Sequence, residues 1–75
     1  MNRARYYIIG GKRHKSGLRE FGIVCSWHQN GRRETLRIDN VSPDLARLKR
    51  FVNRLNAAGA SPIHLHDLTE DFVAG

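Results

Sequence analysis

The stretch SPIHLHDLTEDF, residues 61–72, gathers His64, His66, Asp67, Glu70 and Asp71 into one short segment. These side-chain types ligate metals and carry protons, so the segment poses the first chemical question. Spacing argues against both uses. His64 and His66 are two positions apart, which on a helix turns them about 200° from one another at roughly 3.6 residues per turn. A helical chelate needs a separation of three or four, as in H-E-x-x-H. Only an extended segment would bring both rings to one ion. His14 and His28 lie far off in sequence, and Cys25 sits in an alternating apolar run that predicts an inward side chain. No serine or cysteine has a base at a recognised motif spacing. The glycine-bounded GGKRHKSG, residues 10–17, lacks the order of a phosphate-binding loop. The residues predict no catalytic centre, no metal site, no cofactor and no enzyme.

A helix accounts for the same segment. Leu65, Leu68 and Phe72 recur at spacings of three and four and form an apolar stripe. Two starts fit. Asp67 with Glu70 forms a capping box, or Ser61 caps a helix with Pro62 in its first position. With either start, acids near the beginning complement the helix dipole.

The elements that must position this helix can be read from the N-terminus. ARYYII, residues 4–9, is aromatic and β-branched, which predicts a strand, and residues 10–17 predict a polar loop. REFGIVCSWH, residues 19–28, alternates: Phe21, Ile23, Cys25 and Trp27 share one face, and Gly22, Val24, Ser26 and His28 the other. Asn30-Gly31 suits a two-residue type I′ turn, and RETLRID, residues 33–39, returns as a third strand. With Asn30 and Gly31 as the turn, Ile23 faces Ile38, Cys25 faces Leu36, Ser26 faces Thr35 and Trp27 faces Glu34. Both apolar pairs fall on one face, so turn chemistry and hydrophobic pattern select one register.

VSPDLARLKRFVNRLNAAGASP, residues 41–62, predicts a long helix. Ser42 is the expected N-cap, Pro43 the first helical residue, and Asp44 complements the dipole. Leu45, Leu48, Val52 and Leu55 form the apolar face with Phe51 beside it, Gly59 supplies a left-handed C-cap, and Pro62 stops the helix. The fold expected is α+β: a three-stranded antiparallel meander, then a long helix and a short C-terminal helix, in one small domain over residues 1–75. The long helix should cross the Phe21, Ile23, Cys25, Leu36, Ile38 face. The expected core is those five residues with Leu48, Val52, Leu55, Leu68 and Phe72.

At 75 residues the core is thin. One cysteine rules out an intrachain disulfide and fits a reducing compartment. The apolar patch after Arg5 is too short for a signal peptide, and no run reaches membrane-spanning length. A cytoplasmic protein is expected. The net charge of +6 is concentrated before Ile38, where Glu20 and Glu34 are the only acids.

Three fragments, FGIV in the second strand, SP closing the long helix, and SPIHLHDLTEDF, resemble a family of short uncharacterised bacterial proteins classed as a domain of unknown function. Their terminal segment has the form S-P-x-H-x-x-D-x-x-E-D-F, which Ser61, Pro62, His64, Asp67, Glu70, Asp71 and Phe72 match. The resemblance runs from about residue 20 to 73, and the basic loop Lys12–Lys15 departs from it. It implies no reaction and no site.

Two functions compete. A small protein-binding or regulatory module would use the sheet face opposite the helices, with Val24, Ser26, His28, Thr35 and Arg37 joined by Tyr7 and Ile9, or the sheet edges. Its partner is another protein, or the chain itself as a homo-oligomer. The alternative is nucleic-acid binding through Lys12, Arg13 and Lys15 of the loop and Arg32, Arg33 and Arg37 of the hairpin. Arg47, Arg50 and Arg54, at spacings of three and four, add like charge that helix formation does not explain.

Overall fold

A computed structural model of the chain describes residues 4–13 and 15–75, with the backbone alone at Lys12. Three antiparallel strands, β1 (Arg5–Arg13), β2 (Arg19–Gln29) and β3 (Arg32–Ser42), form a sheet in the order β1-β2-β3. Helix α1 (Leu45–Ala58) follows, then a 3-10 turn (Pro62–His64) that runs directly into α2 (Leu65–Ala74). The arrangement is the expected α+β meander with a helical layer.

The β2–β3 hairpin has the register its sequence predicts. Ile23 pairs with Ile38, Cys25 with Leu36, Ser26 with Thr35 and Trp27 with Glu34. Asn30 and Gly31 occupy φ of 52° and 77°, as a type I′ turn requires. Beyond Ile23 the ladder is irregular: Phe21 pairs with Ser42, so β3 bulges, with Asn40 at φ 54°. Gly22 lies opposite that bulge. A Cβ there would collide with the Ile38 carbonyl oxygen, so the glycine of FGIV is required by close backbone approach.

Two strands outrun their expected ends. β1 does not stop at Ile9 but continues to Arg13, which pairs with Arg19 across a register shift after Gly10. Arg19 Nε donates to the Gly11 carbonyl at 3.0 Å and braces the irregular stretch. β3 continues to Ser42 because Val41 and Ser42 are drawn into the interior, at 8% and 7% exposure. This moves the start of α1. Asp44, not Ser42, is the N-cap, its carboxylate accepting from the Arg47 N–H at 3.0 Å, while the Ser42 hydroxyl accepts from the Asp44 N–H at 3.0 Å. Gly59 is the left-handed C-cap as expected. At the last helix the capping box does not form. Ser61 precedes the 3-10 turn with Pro62 in first position, its side chain making no cap bond, and Asp67 lies inside the first turn of α2.

The core gathers Ile23, Cys25, Leu48 and Leu65, which are essentially inaccessible, with Tyr6, Val41, Phe51, Val52, Leu55 and Phe72. Removing a side chain the size of Ile23, Leu48 or Leu65 from water contributes about 1.5–3 kcal/mol each. Phe21, Leu36, Ile38 and Leu68, expected inside, are only partly buried. The cause is the placement of the helices. α1 packs mainly on β1 and reaches β2, whereas α2 lies against β3. The long helix thus covers Tyr6 rather than the Leu36 and Ile38 end of the sheet. Phe51 and Phe72 stack at 4.5 Å between centroids and join the two helices.

Candidate docking site at the sheet edges

In a two-residue hairpin the residues flanking the turn form a hydrogen-bonded pair, and such pairs recur at every second position. From Gln29 and Arg32 onward, β3 turns the backbone groups of Glu34, Leu36 and Ile38 toward β2, and those of Arg33, Thr35 and Arg37 outward. Carried across β2, the same alternation turns the backbone of Tyr6 outward from β1. There the outward groups are satisfied. The Tyr6 N–H donates to Asn56 Oδ1 at 2.9 Å, and the Tyr6 carbonyl accepts from Asn56 Nδ2 at 3.0 Å. A side-chain amide thus takes the place of a neighbouring strand. The Tyr6 hydroxyl adds a third tie, donating to the Ala60 carbonyl at 2.7 Å.

Burial raises the Tyr6 phenol pKa, with the adjacent Cys25 adding to the effect, and burial likewise raises that of the Cys25 thiol. Both groups are neutral parts of the core. A thiol that is buried and fully protonated is not a nucleophile.

The β3 edge differs. Among the described residues no hydrogen bond reaches the outward backbone of Arg33, Thr35 or Arg37, and all three residues are exposed. On the helix side of this edge a groove of about 310 Å³ lies between Ile38 and His66, Thr69, Glu70, Val73 and Ala74 of α2. Val73 is 58% exposed, and Thr69, at 6% exposure, has a buried hydroxyl without a hydrogen-bond partner among the described residues. A larger groove, of about 490 Å³, runs between the helices. Arg47 lies 4.3 Å over the Phe72 ring and donates to the Phe72 carbonyl at 2.7 Å. That contact also explains one of the three helix arginines.

The sequence-predicted nucleic-acid residues are not brought together. Arg13 and Lys15 lie at the β1–β2 end of the sheet and Arg32 and Arg33 at the β2–β3 turn. The length of β2, roughly 30 Å at about 3.3 Å per residue, separates the two groups. Lys12 contributes no described side chain. Arg37 lies mid-strand on the open face, its Nε bonded to Asp39 Oδ1 at 2.8 Å. That face holds Arg5, Tyr7 and Ile9 of β1, Val24, Ser26 and His28 of β2, and Thr35 and Arg37 of β3, as the alternation predicts. His64 ends the 3-10 turn and His66 is exposed on α2. Among the described residues no three metal-ligating side chains cluster, and no helix is long and apolar enough to cross a membrane.

Asn56 was the functional residue that the sequence reading passed over. Its signal is weak: Asn56 stands four residues after Val52 on the same side of α1, but Leu55 already continues the apolar stripe.

The fold and its edges define a small α+β module, a sheet backed on one face by helices. The chain belongs to a family of unknown function (DUF6514), whose model matches residues 1–75, so the match includes the basic loop that the resemblance left out. No curated protein and no solved structure matches the chain.

Proposed function

We propose that this protein is a non-catalytic protein-binding module that docks an extended segment of its partner along the outer edge of β3. One observation carries the reading: at the β1 edge Asn56 meets the outward backbone of Tyr6, whereas along β3 the outward backbone of Arg33, Thr35 and Arg37 is unmet among the described residues. Strand addition to a free edge draws affinity from main-chain hydrogen bonds and specificity from alternate side chains. The test uses Thr35→Pro. The Thr35 N–H points away from β2, so proline there removes no ladder bond but blocks a new strand. A protein captured by the wild type in nuclease-treated extract, then purified, should bind directly, protect β3 amides from hydrogen exchange and be lost with Thr35→Pro. Binding that survives the substitution refutes the site.

Nucleic-acid binding is the second reading, and one observation favours it: Arg5, Arg33 and Arg37 share the open sheet face with Tyr7. Arginines and an aromatic ring on a sheet suit phosphates and stacked bases. If this holds, the logarithm of affinity for duplex DNA falls with the logarithm of salt by about 0.9 per phosphate neutralised. Replacing the three arginines by alanine should flatten that slope. Binding that vanishes near physiological salt leaves the protein-binding reading in place.

A further inference from the structure

From the groove and charges flanking β3, we infer the chemistry of the segment that docks there: an extended strand alternating acidic and apolar side chains. The inference rests on the strand-addition reading above and goes further by naming what the strand must carry. Residues paired across neighbouring strands share a face. Partner residues bonded to Arg33, Thr35 and Arg37 therefore point to the open face, where two guanidinium groups await them. Arg37 is engaged by Asp39, but the two side chains are 63% and 59% exposed. Such a pair is weak, and the remaining guanidinium donors of Arg37 face solvent. Carboxylates suit these positions.

The intervening partner residues point to the helix side, next to Leu36 and Ile38, and enter the groove walled by Thr69 and Val73. Apolar side chains fit there. A carboxylate would meet the Glu70 carboxylate, which lines the same groove. The two faces thus oppose a shift of the docked strand by one residue, which would exchange its acidic and apolar sets. The Thr69 hydroxyl, buried without a partner among the described residues, is an uncompensated polar group on the groove wall. A second copy of the chain fits less well. In the antiparallel register that sets Arg33 against the second copy's Asp39, Ile38 meets that copy's Glu34, which carries a carboxylate to the groove.

Fluorescence anisotropy with labelled synthetic peptides and the full chain tests this. A peptide alternating Val and Glu should bind. Replacing its Glu by Lys, or grouping its residues as Val-Val-Glu-Glu, should weaken binding about tenfold or more, since several attractive exposed pairs become repulsive or lose register. Arg33→Glu with Arg37→Glu should reverse the preference toward the Val–Lys peptide. Val73→Glu, at an exposed position, should weaken the Val–Glu peptide without unfolding the protein. N-methylating alternate amides along one edge of the peptide should abolish binding. Equal affinity for the Glu and Lys peptides, still lost on N-methylation, overturns the acidic–apolar chemistry and leaves strand addition standing. Absence of binding by every peptide, or indifference to N-methylation, overturns strand addition as well. Concentration-dependent dimerisation that Thr35→Pro abolishes assigns the edge to a second copy and overturns the proposal.

Discussion

The two edges of this sheet meet opposite fates although both strands alternate in the same way. At β1, the outward groups of Tyr6 are bonded to Asn56, and its hydroxyl to Ala60. At β3, Arg33, Thr35 and Arg37 face outward in an exposed strand. An uncovered edge invites pairing with another chain, and charged residues or a covering element suppress it. Here a helix packs on one edge strand and its asparagine bonds the outward backbone of Tyr6, while among the described residues the other edge carries charge. Charge still admits a partner that complements it, which is how an edge becomes selective.

Breaking the closed edge should produce the largest effect. Tyr6 is 2% exposed, and Tyr6→Ala should cost about 3–5 kcal/mol through the cavity and the lost tie to Ala60. Denaturant unfolding measures it. Stability within 1 kcal/mol of wild type, taking about 1 kcal/mol as one ordinary hydrogen bond, would show that the Tyr6 side chain does not hold α1 against the sheet.

Asn56→Ala is milder and sharpens the comparison. It leaves the Tyr6 N–H and carbonyl without their partner, at a cost of about 1–3 kcal/mol, and it makes the β1 edge resemble the β3 edge. The variant should therefore self-associate at concentrations where the wild type does not, as sedimentation velocity would show. A destabilised variant with unchanged association would mean that Asn56 supports the fold without protecting the edge.

The smallest effect belongs to β3. Arg37→Ala removes only an exposed ion pair and should shift stability by no more than about 0.5 kcal/mol. A larger loss in thermal or denaturant unfolding would mark Arg37 as part of the fold rather than of its surface.

Much of this architecture was legible in local chemistry. Asn30-Gly31 and the alternation around Cys25 determined the hairpin, because positive φ and a single apolar face admit one register. Gly59 ended α1 for a comparably local reason. The stripe of Leu65, Leu68 and Phe72 marked the last helix for the same reason. Where a boundary depended on distant burial, local signals failed. Ser42 and Asp44 are both good caps, and the choice fell to Asp44 because Ser42 pairs with Phe21 of β2 and lies buried beside Val41.

By itself the sequence determined the strand and helix types, the hairpin register and the face of each element that turns inward. These follow from dihedral preferences and side-chain periodicity within a few residues. Only the tertiary structure decided that α1 lies over β1, that Tyr6 belongs to the core, that Asn56 meets the outward backbone of Tyr6, and that the two basic ends stay apart. Those outcomes rest on contacts such as that of Tyr6 with Asn56, between residues on different elements far apart along the chain. No local propensity encodes such a contact, because its energy exists only once the elements have met.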